Sequence, residues 1–376
     1  MKNVFIIAGE TSGDLHGSGL VRELRNIDCQ IKIWGIGGEK MRAAGMETEY
    51  DISQMAFLGF SEVIRHLPFI WQVLHHIKRL LREQRPDLVI LIDYPGFNLR
   101  IAAFVHHLGL KVLYYISPQV WAWGKNRVKK IARFVDRMAV IFKFEEDFYR
   151  NHNVPVTFVG HPLLDSLQIR PTKNEFYEKY HLTAGAPVMA LLPGSRIQEI
   201  HRLLPDMVEI AGQFKWKVPE IRLCVSISEN VPAAIYDKIL QDMEITRVPE
   251  TYPLMAYSSL MLVASGTATV EGTIVGTPFV VVYKVSPFSY WLAKKLIKVD
   301  YIAMANIIAG QLVVPEFIQD DFCPGKVLPV LLKLQQNEQE RKKMESGFNL
   351  IRKRLGSKGS AKRVAELAFS MMREND

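Results

Sequence analysis

One stretch of the chain, LLPGSRIQEI at 191–200, has the residue types that bind an anion. An apolar run, VMALL, ends at residues 193–196, and a helix-like pattern follows. Gly194 lets the backbone approach an anion, and a helix start presents free N–H groups with a positive dipole end. Arg196 adds a planar cation that suits a diphosphate, and Ser195 is predicted to cap the helix. An ordinary strand-to-helix turn with a surface arginine is the alternative, and these four residues alone do not decide between the two.

A second turn of small residues, Ser265, Gly266 and Thr267, lies in the same half of the chain, after the run LMLVA. It also opens a helix-like segment, in which Glu271 falls about one helical turn from the start. A carboxylate at this place could bind the paired hydroxyls of a ribose. Alternatively, it is a glutamate that the helix dipole favours near a helix start. We favour ribose binding, because both turns would occupy equivalent strand ends of one sheet.

Asp93 ends the apolar run LVILID and is predicted to be a general base. Pro95 and Gly96 follow, and we expect them to bend the chain away and leave the carboxylate at the edge of a sheet. A carboxylate in a half-buried cleft has a raised pKa, which suits a group that accepts a proton at neutral pH. The alternative is a structural aspartate that bonds the backbone of the turn.

The N-terminal turn, AGETSGDLHGSG, also follows a strand-like run but lacks the G-x-G-x-x-G spacing of a dinucleotide site. Its carboxylates, Glu10 and Asp14, would repel a pyrophosphate. Small residues with carboxylates suit a hydroxyl-rich sugar better, so Glu10, Ser12 and Gly13 are predicted to line a sugar cleft. Asp14 by itself is more simply explained as a helix cap.

Two tryptophans, Trp121 and Trp123, alternate after the strand-like run KVLYYIS. They could stack on a ligand or pack as core. We predict that Trp121 lies at the sugar cleft, together with Asn98 of the IDYPGFN stretch.

The segment 66–85 has aromatic and aliphatic residues at its front and cations behind them. Its apolar residues cover more of a helix than one core-facing stripe needs. An aromatic tip with a basic flank is typical of an interfacial membrane contact. The alternative is a buried helix whose long cations extend to solvent. The residues predicted to contact the membrane are Phe69, Ile70, Trp71, Lys78, Arg79 and Arg82.

The chain has 376 residues, 48% of them hydrophobic, which is enough for two domains with their own cores. Its formal net charge of +8 suits an anionic membrane surface or a phosphorylated substrate, and no aromatic-basic motif indicates nucleic acid. The three cysteines are far apart, and we expect buried free thiols in a reducing compartment. The histidines lack metal spacing, so we expect neither a metal nor another cofactor. Without a signal-peptide core or about 18 consecutive apolar residues, a soluble or peripheral cytoplasmic protein is predicted.

Strand-like and helix-like runs alternate along almost the whole chain. The strand-like runs are short and apolar on both faces, which indicates buried parallel strands. The alternation restarts after residues 160–162, so the sequence predicts two doubly wound α/β sheets that face a cleft. We place the domains at 1–165 and 166–345, followed by a helical tail at 346–376.

Seven motifs occur in order: AGETSGD, IDYPGFN, YYISPQVWAW, FVGHPLLD, LLPGSR, ASGTATVE and YIAMANIIAG. Together they resemble the lipid-A-disaccharide synthase family over about residues 3–320, and AGETSGD is among the most specific. The resemblance implies a GT-B glycosyltransferase of two Rossmann-like domains, with a C-terminal helix that crosses back onto the first. It implies transfer of 2,3-diacylglucosamine from UDP to 2,3-diacylglucosamine 1-phosphate, which gives a β-1,6-linked disaccharide 1-phosphate and UDP. It also implies a metal-independent enzyme, peripheral on the cytoplasmic face of the inner membrane, where it would meet lipid substrates and anionic phospholipid.

The resemblance also implies roles for particular residues. It identifies Asp93 as the base and marks Glu10 as functionally important, and we predict both of them, with Arg196, to be catalytic. Together with the two turns, it predicts that UDP-sugar is bound by Gly194, Ser195, Arg196, Ser265, Gly266, Thr267, Glu271, Asn306 and Gln319. The family often carries an acid where this chain has Gly96, which leaves open whether Asp93 is the sole base.

Two other functions stay open. A hydrolysing UDP-sugar 2-epimerase would share the scaffold and the UDP turns, but it would need acid–base groups beside C2 of the sugar and no lipid-facing residues. A non-catalytic nucleotide sensor at the membrane would not need carboxylates at the strand ends. The sequence also leaves open the acyl-chain length, and whether the tail docks on its own chain or on the second copy of a homodimer.

Overall fold

The computed structural model describes residues 1–54, 67–122, 125–241, 243–286, 290 and 300–373. They form two compact units. The first comprises Met1–Asp165 and Leu355–Asp376, and the second comprises Ser166–Arg354. Each unit is built around one parallel β-sheet, which confirms the predicted fold class.

The first unit contains a seven-stranded sheet in which neighbouring strands are parallel. Its strands are β1 (Asn3–Ala8), β2 (Lys32–Gly37), β3 (Glu47–Asp51), β4 (Leu88–Ile92), β5 (Val112–Tyr115), β6 (Arg137–Val140) and β7 (Val156–Phe158). They lie in the order β3-β2-β1-β4-β5-β6-β7, so the order reverses between the neighbours β1 and β4. The helices along this part of the chain are α1 (Thr11–Ile27), α2 (Glu39–Ala43), α3 (Leu67–Gln84), α4 (Pro95–His107), α5 (Lys125–Phe134), α6 (Lys143–Arg150) and α7 (Leu163–Ser166).

The second unit contains a six-stranded parallel sheet. Its strands are β8 (Val188–Leu192), β9 (Arg222–Ser226), β10 (Ile245–Val248), β11 (Leu260–Ala264), β12 (Phe279–Tyr283) and β13 (Glu316–Ile318). They lie in the order β10-β9-β8-β11-β12-β13, with the same reversal between β8 and β11. The remaining helices are α8 (Lys173–Lys179), α9 (Ile197–Lys217), α10 (Ala233–Leu240), α11 (Thr251–Tyr257), α12 (Thr267–Val275), α13 (Met304–Ala309), α14 (Pro324–Gln336), α15 (Glu338–Leu355) and α16 (Ser360–Arg373).

The central strands are the most apolar parts of both sheets. Every residue of β4, β8 and β11 is buried, because helices pack on both faces of a doubly wound sheet. In the first unit, Val73, Ile77 and Leu81 of α3 pack into the same core as Phe5 and Val89 of the sheet. Continuous apolar runs are therefore a reliable signal for the strands that carry the site.

Three strands, β3, β10 and β13, lack the continuous apolar runs by which the sequence indicates the other strands. All three lie at the edge of a sheet, and most of their residues are partly exposed. An edge strand pairs on one side only, so it can carry polar residues such as those of ETEYD in β3. The expectation of three buried thiols was also wrong in part, because Cys29 is exposed and only Cys224 is buried.

The tail returns to the first unit at Leu355, later than the boundary at 346 that the sequence suggested. The reason is that α15 continues through position 346 as part of the second unit. Within α15, the ring of Phe348 stacks on the ring of Phe279 in the same unit, with 5.5 Å between the ring centroids. Beyond Leu355, the carboxylate of Asp165 accepts the N–H groups of Gly359 and Ser360 at 2.7 and 2.9 Å. This carboxylate satisfies amides that the start of α16 would otherwise leave without partners.

We predict that Asp165→Ala loosens α16 from the first unit. Removal of a helix-capping side chain costs about 0.5–2 kcal/mol, so the free energy of unfolding should fall by that amount in a denaturant titration. Asp147→Ala is the matched control, since Asp147 is 76% exposed and its ion pair with Arg150 spans 3.9 Å. Equal losses in the two variants would contradict the assignment of Asp165 as the cap.

Candidate functional site

The predicted site residues follow the strands between which the order of each sheet reverses. In the first unit, Glu10 lies just beyond β1 and Asp93 just beyond β4. In the second unit, Gly194 lies beyond β8 and Ser265 beyond β11. The crevice outside these carboxyl ends is where doubly wound α/β proteins bind ligands. The structure thus places these residues at two switch points, one in each unit.

A cavity of about 580 Å³ opens at the switch point of the second unit, which is a usual size for a small-ligand site. Its lining includes seven of the predicted nucleotide-binding residues: Gly194, Ser195, Arg196, Ser265, Gly266, Thr267 and Glu271. Residues 226–230, at and beyond the end of β9, together with Pro249 and Thr251 after β10, form further parts of the wall. Both small-residue turns therefore face one cavity.

The first turn is held by the carboxylate of Glu199. Gly194 has a φ of +104°, and a Cβ at this position would lie 2.2 Å from the Glu199 carboxylate. The predicted cap by Ser195 was wrong: α9 begins after Arg196, and Glu199 accepts the N–H groups of Ser195 and Arg196 at 3.1 and 3.3 Å. The side chain of Arg196 is 70% exposed, with Nη1 at 3.6 Å from Glu199 Oε1. Its guanidinium is therefore accessible to an anion in the cavity.

The second turn presents the start of α12 to the same cavity. The hydroxyl of Ser265 donates to the carbonyl of Ile302 at 3.0 Å, so its oxygen can only accept from a ligand. Thr269 donates its hydroxyl to the carbonyl of Gly266 at 2.8 Å, which shapes the turn. Within the described parts of the chain, no acceptor contacts the N–H groups of Thr267 and Ala268. These amides lie at the positive end of a helix and could bind an anion.

Glu271 lies inside α12 and faces the cavity, so it is not a simple helix-start glutamate. Its Oε1 accepts the hydroxyl of Tyr252 at 3.1 Å. Burial raises the pKa of the Glu271 carboxyl, and the bond from Tyr252 lowers it. A half-buried carboxylate with one oxygen held by a tyrosine can accept hydroxyl groups of a ligand with the other.

Two residues at this site, Glu199 and Tyr252, were not among the residues predicted from the sequence. The spacing of Glu199 from Arg196 is the N-cap-to-N3 distance of a capping box, so this signal was available once the helix start was known. Tyr252 lies in α11, and only the packing of α11 beside α12 brings it to Glu271. No local pattern marks it.

Asn306 and Gln319 lie in the second unit, but the described cavity wall includes neither. The buried amide of Asn306 donates to Val314 and Glu316 and accepts the N–H groups of Val313 and Val314. The side chain of Gln319 forms a pair of bonds with the backbone of Val285. In this structure both side chains stabilise loops through internal bonds.

In the first unit, the turn after β4 is made by two consecutive residues in the left-handed region. Asp93 has a φ of +45° and Tyr94 a φ of +49°. The carbonyl of Asp93 accepts Asn98 Nδ2 at 2.7 Å and the hydroxyl of Tyr114 at 2.6 Å. Non-glycine residues in such conformations cost about 1–3 kcal/mol each and cluster at functional sites.

Two expectations for this turn were wrong. The bend is formed by Asp93 and Tyr94, whereas Pro95 begins α4, because proline is well suited to the first helical position. Asn98 is fully buried and bonds the carbonyls of Ile92 and Asp93, so it supports the strand end and does not line a cleft.

The pKa of Asp93 is raised to about 6, chiefly because burial disfavours the charged form. The negative charge of Glu10 raises this pKa further, and a hydrogen bond from the Tyr94 amide lowers it. That bond is the contact expected of a structural aspartate, so the two alternatives for Asp93 coexist. A carboxyl with this pKa is mostly ionised at neutral pH and remains basic enough for proton transfer.

Gly9 brings the two strand ends together. A Cβ on Gly9 would lie 2.2 Å from the ring of Tyr94, so the ring occupies the space that any other residue would need. Because Gly9 precedes Glu10 and Tyr94 follows Asp93, this contact brings the two carboxylates close enough to interact. The first unit thus carries a pair of coupled carboxylates at its switch point.

The first turn of α1 contains the remaining predicted residues of the N-terminal turn. Ser12 is exposed and Gly13 is buried against Ala8. Asp14 accepts the N–H groups of Gly38, Lys40 and Met41 at 2.8–3.1 Å and so caps α2. Asp14 is therefore a helix cap, as expected, but it caps α2 and not α1, the helix in which it lies.

Trp121 is half-buried on the carboxyl side of β5. Its Nε1 donates to Glu145 Oε1 at 3.2 Å, and its ring packs edge-on against Phe144 at 5.1 Å. Burial raises the pKa of Glu145 to about 8. The indole is therefore held by a buried carboxyl group, whereas Trp123 lies outside the described residues.

The predicted membrane helix is α3, and its apolar residues divide between two environments. Phe69 and Ile70 pack partly buried against the core of the first unit, whereas Trp71 is 49% exposed. Lys78 and Arg82 both lie over the ring of Phe104, at 5.3 and 5.5 Å. Arg79 is exposed and bonds His76 at 3.1 Å. Of the three apolar residues predicted at the membrane, only Trp71 is exposed.

The described residues form neither a membrane-spanning helix nor a metal-binding cluster. None of their helices is long and apolar enough to cross a membrane. They contain no group of three or more histidine, cysteine, aspartate or glutamate side chains that could hold a metal ion.

This chain is similar to known proteins in sequence and in fold. A family model for lipid-A-disaccharide synthetases matches residues 4–369. A lipid-A-disaccharide synthase of Geobacter sulfurreducens is 41% identical over 375 residues, which cover 98% of this chain and 97% of the relative. The UDP-GlcNAc 2-epimerase of Neisseria meningitidis, solved with UDP-GlcNAc, has a TM-score of 0.68 at 13% identity, with coverage of 98% and 100%. CalG4, the calicheamicin glycosyltransferase, has a TM-score of 0.61 at 14% identity, with coverage of 99% and 98%.

The two sheets and their switch points define the class: the fold of two Rossmann-like domains that GT-B glycosyltransferases share with UDP-sugar 2-epimerases. At 13% and 14% identity, the solved structures show the fold alone. The chain belongs to the lipid-A-disaccharide synthetase family. This membership confirms the resemblance drawn from the motifs and leaves the epimerase as a relative in fold.

We predict that Gly9→Ala damages the carboxylate pair. Its Cβ must displace the Tyr94 ring, at a cost of about 1–3 kcal/mol in the free energy of unfolding. The double variant Gly9→Ala/Tyr94→Ala should lose less free energy of unfolding than the sum of the losses in the two single variants. Chemical denaturation of all three variants measures this difference. Gly96→Ala is the control, because among the described residues no atom outside its own helix backbone and chain neighbours lies within 4 Å of a Cβ there. Additive losses for Gly9 and Tyr94 would contradict the contact.

Proposed function

We propose that this chain is a glycosyltransferase that transfers 2,3-diacylglucosamine from UDP to 2,3-diacylglucosamine 1-phosphate. The products are UDP and a β-1,6-linked disaccharide 1-phosphate, a precursor of lipid A. The observation that carries the proposal is the division of chemistry between the two switch points. One has two carboxylates, Glu10 and Asp93, whose charges interact, and the other has a cavity with a guanidinium, helix-start amides and a half-buried carboxylate.

The cavity of the second unit is proposed to hold UDP. Glu271 would accept the ribose hydroxyls, since one of its oxygens is already oriented by Tyr252. The diphosphate would meet the guanidinium of Arg196 and the N–H groups at the start of α12. Asn306 and Gln319 would then act on the site through the loops that they hold.

The first unit is proposed to activate the acceptor. The carboxylate of Asp93 takes the proton from the 6-hydroxyl of the acceptor, and the oxygen attacks the anomeric carbon of the donor. The bond between that carbon and the phosphate oxygen breaks on the opposite face, so the configuration inverts and UDP leaves with the bonding electrons. Burial, and to a smaller extent the charge of Glu10, keep the pKa of Asp93 high enough for this proton transfer.

Negative charge builds on the diphosphate as the glycosidic bond breaks. Arg196 and the helix-start amides are fixed positive groups that would stabilise this charge in the transition state. We propose that they supply the stabilisation themselves, so that transfer proceeds in the presence of a chelator.

We also propose that the protein works as a peripheral protein on the cytoplasmic face of the inner membrane, because both substrates carry acyl chains. Trp71 would enter the interface, and the basic residues of α3 would attract anionic phospholipid at about 1 kcal/mol per cation near the surface. The exposed Trp71, with the guanidinium of Arg100 at 5.7 Å from its ring, supports this orientation.

We predict that Asp93→Asn lowers the transfer rate by about 10²–10⁴-fold, the usual contribution of a general base, while UDP binding is retained. In the wild type, the ionised form is active, so kcat/KM should fall tenfold per pH unit below the pKa of about 6 and level off above it. Rates with both lipid substrates, measured from pH 4.5 to pH 8, test this prediction.

Glu10→Gln sharpens this test, because removal of the charge lowers the pKa of Asp93. The acidic limb of its profile should move to lower pH, whatever happens to the plateau. An unmoved limb, or near-normal turnover by Asp93→Asn, would require a different base.

We predict that Trp71→Ser weakens binding to vesicles that contain phosphatidylglycerol. Burial of a large apolar side chain contributes about 1.5–3 kcal/mol, so the partition coefficient should fall at least about tenfold. Trp216→Ser is the control: this tryptophan is 81% exposed and also lies beside lysines, but it belongs to the second unit. A loss on Trp216→Ser with none on Trp71→Ser would assign membrane contact to the other unit.

A further inference from the structure

Glu199 places a negative charge in the cavity that is proposed to bind a diphosphate. Its carboxylate lies against Gly194, and one of its oxygens accepts the N–H groups of both Ser195 and Arg196. The other oxygen is 3.6 Å from the guanidinium of Arg196. The chain's own carboxylate therefore already uses the amides that a strand-to-helix turn normally offers to phosphate.

The second turn of the cavity differs in this respect. Within the described residues, the N–H groups of Thr267 and Ala268 have no acceptor, and Glu271 bonds Tyr252 instead. A diphosphate can thus approach the turn before α12 without meeting a carboxylate bonded to its amides, whereas at the turn before α9 it meets Glu199 first. The two turns of one cavity therefore differ in charge.

The charges near the first turn partly cancel one another. They act together on Tyr283 at the end of β12: burial raises the pKa of its phenol, the charge of Glu199 raises it further, and the charges of Arg196 and Arg202 lower it. Arg196 thus has two possible partners, the resident carboxylate and the incoming diphosphate. Binding of the nucleotide must compete for its guanidinium.

We propose that Glu199 is a resident counter-charge that holds the turn at 193–196 in shape and weakens the binding of the UDP diphosphate. Its role is to keep the product from staying on Arg196 after transfer, when the diphosphate carries the most negative charge. This inference rests on the proposed function and adds to it a residue that limits affinity and positions Arg196.

The test is Glu199→Gln. A glutamine keeps an acceptor oxygen at the same place, and Glu and Gln are both accepted at this position of a capping box. The variant therefore retains the turn and loses only the charge. Calorimetric titration should show UDP binding that is tighter by roughly tenfold, a factor that corresponds to about 1.4 kcal/mol. Uridine, which has no phosphate, should bind both proteins equally, and UDP should become a stronger product inhibitor by a similar factor.

Glu209→Gln is the matched control, because Glu209 is exposed on the same helix and its carboxylate bonds Gln213. It lies ten residues farther along α9, or roughly 15 Å. It should change UDP binding by less than about twofold. A similar effect in both variants would show that overall charge, and not Glu199, sets the affinity.

Weaker or unchanged UDP binding by Glu199→Gln would overturn the inference, provided that its thermal unfolding matches the wild type. If the variant is destabilised, Glu199→Ala gives the second test, since it also removes the charge: it should still bind UDP more tightly than the wild type, and weaker binding would overturn the inference. A wild-type protein that binds neither UDP nor uridine would instead contradict the proposed function. The two failures are therefore distinguishable.

Discussion

The chemistry of this protein depends on one constraint of chain topology. In both sheets the first and fourth strands are neighbours, and the remaining strands are added outward from them in opposite directions. The helices that follow the two central strands therefore diverge, and a crevice stays open at the carboxyl ends. Every predicted residue that the structure brings to a cavity or to a carboxylate pair lies at one of these crevices. Sheets without the reversal would leave no such opening.

The same topology serves two different electrostatic arrangements. At the switch point of the first unit, burial and the charge of Glu10 raise the pKa of Asp93. At that of the second unit, Arg196 and the start of α12 present positive charge, and the half-buried carboxylate of Glu271 faces the cavity, where it can contact hydroxyls. A diphosphate fits the second arrangement and would be repelled by the first. Glu199 is the exception in the second unit, because its negative charge is proposed to limit the affinity of this basic site for a diphosphate.

The strands that carry the site could be predicted because burial on both faces makes them continuously apolar, as in VMALL of β8 and LVILI of β4. The edge strand β3 could not, because its exposed side tolerates the residues ETEYD. Turn residues such as Gly194 and Ser265 were predicted because their chemistry is local. Tyr252 was not, because its contact with Glu271 depends on how two helices pack. For the same reason the sequence did not show that Asn98 is buried beneath Asp93 rather than exposed beside it.

The central claim is that the nucleotide binds the second unit, and a crystal structure with UDP tests it most directly. The account predicts ribose oxygens within hydrogen-bonding distance of the Glu271 carboxylate. It also predicts a diphosphate between the Arg196 guanidinium and the amides of Thr267 and Ala268. A nucleotide bound instead at the N-terminal turn, against Gly9 and Ser12, would contradict the account.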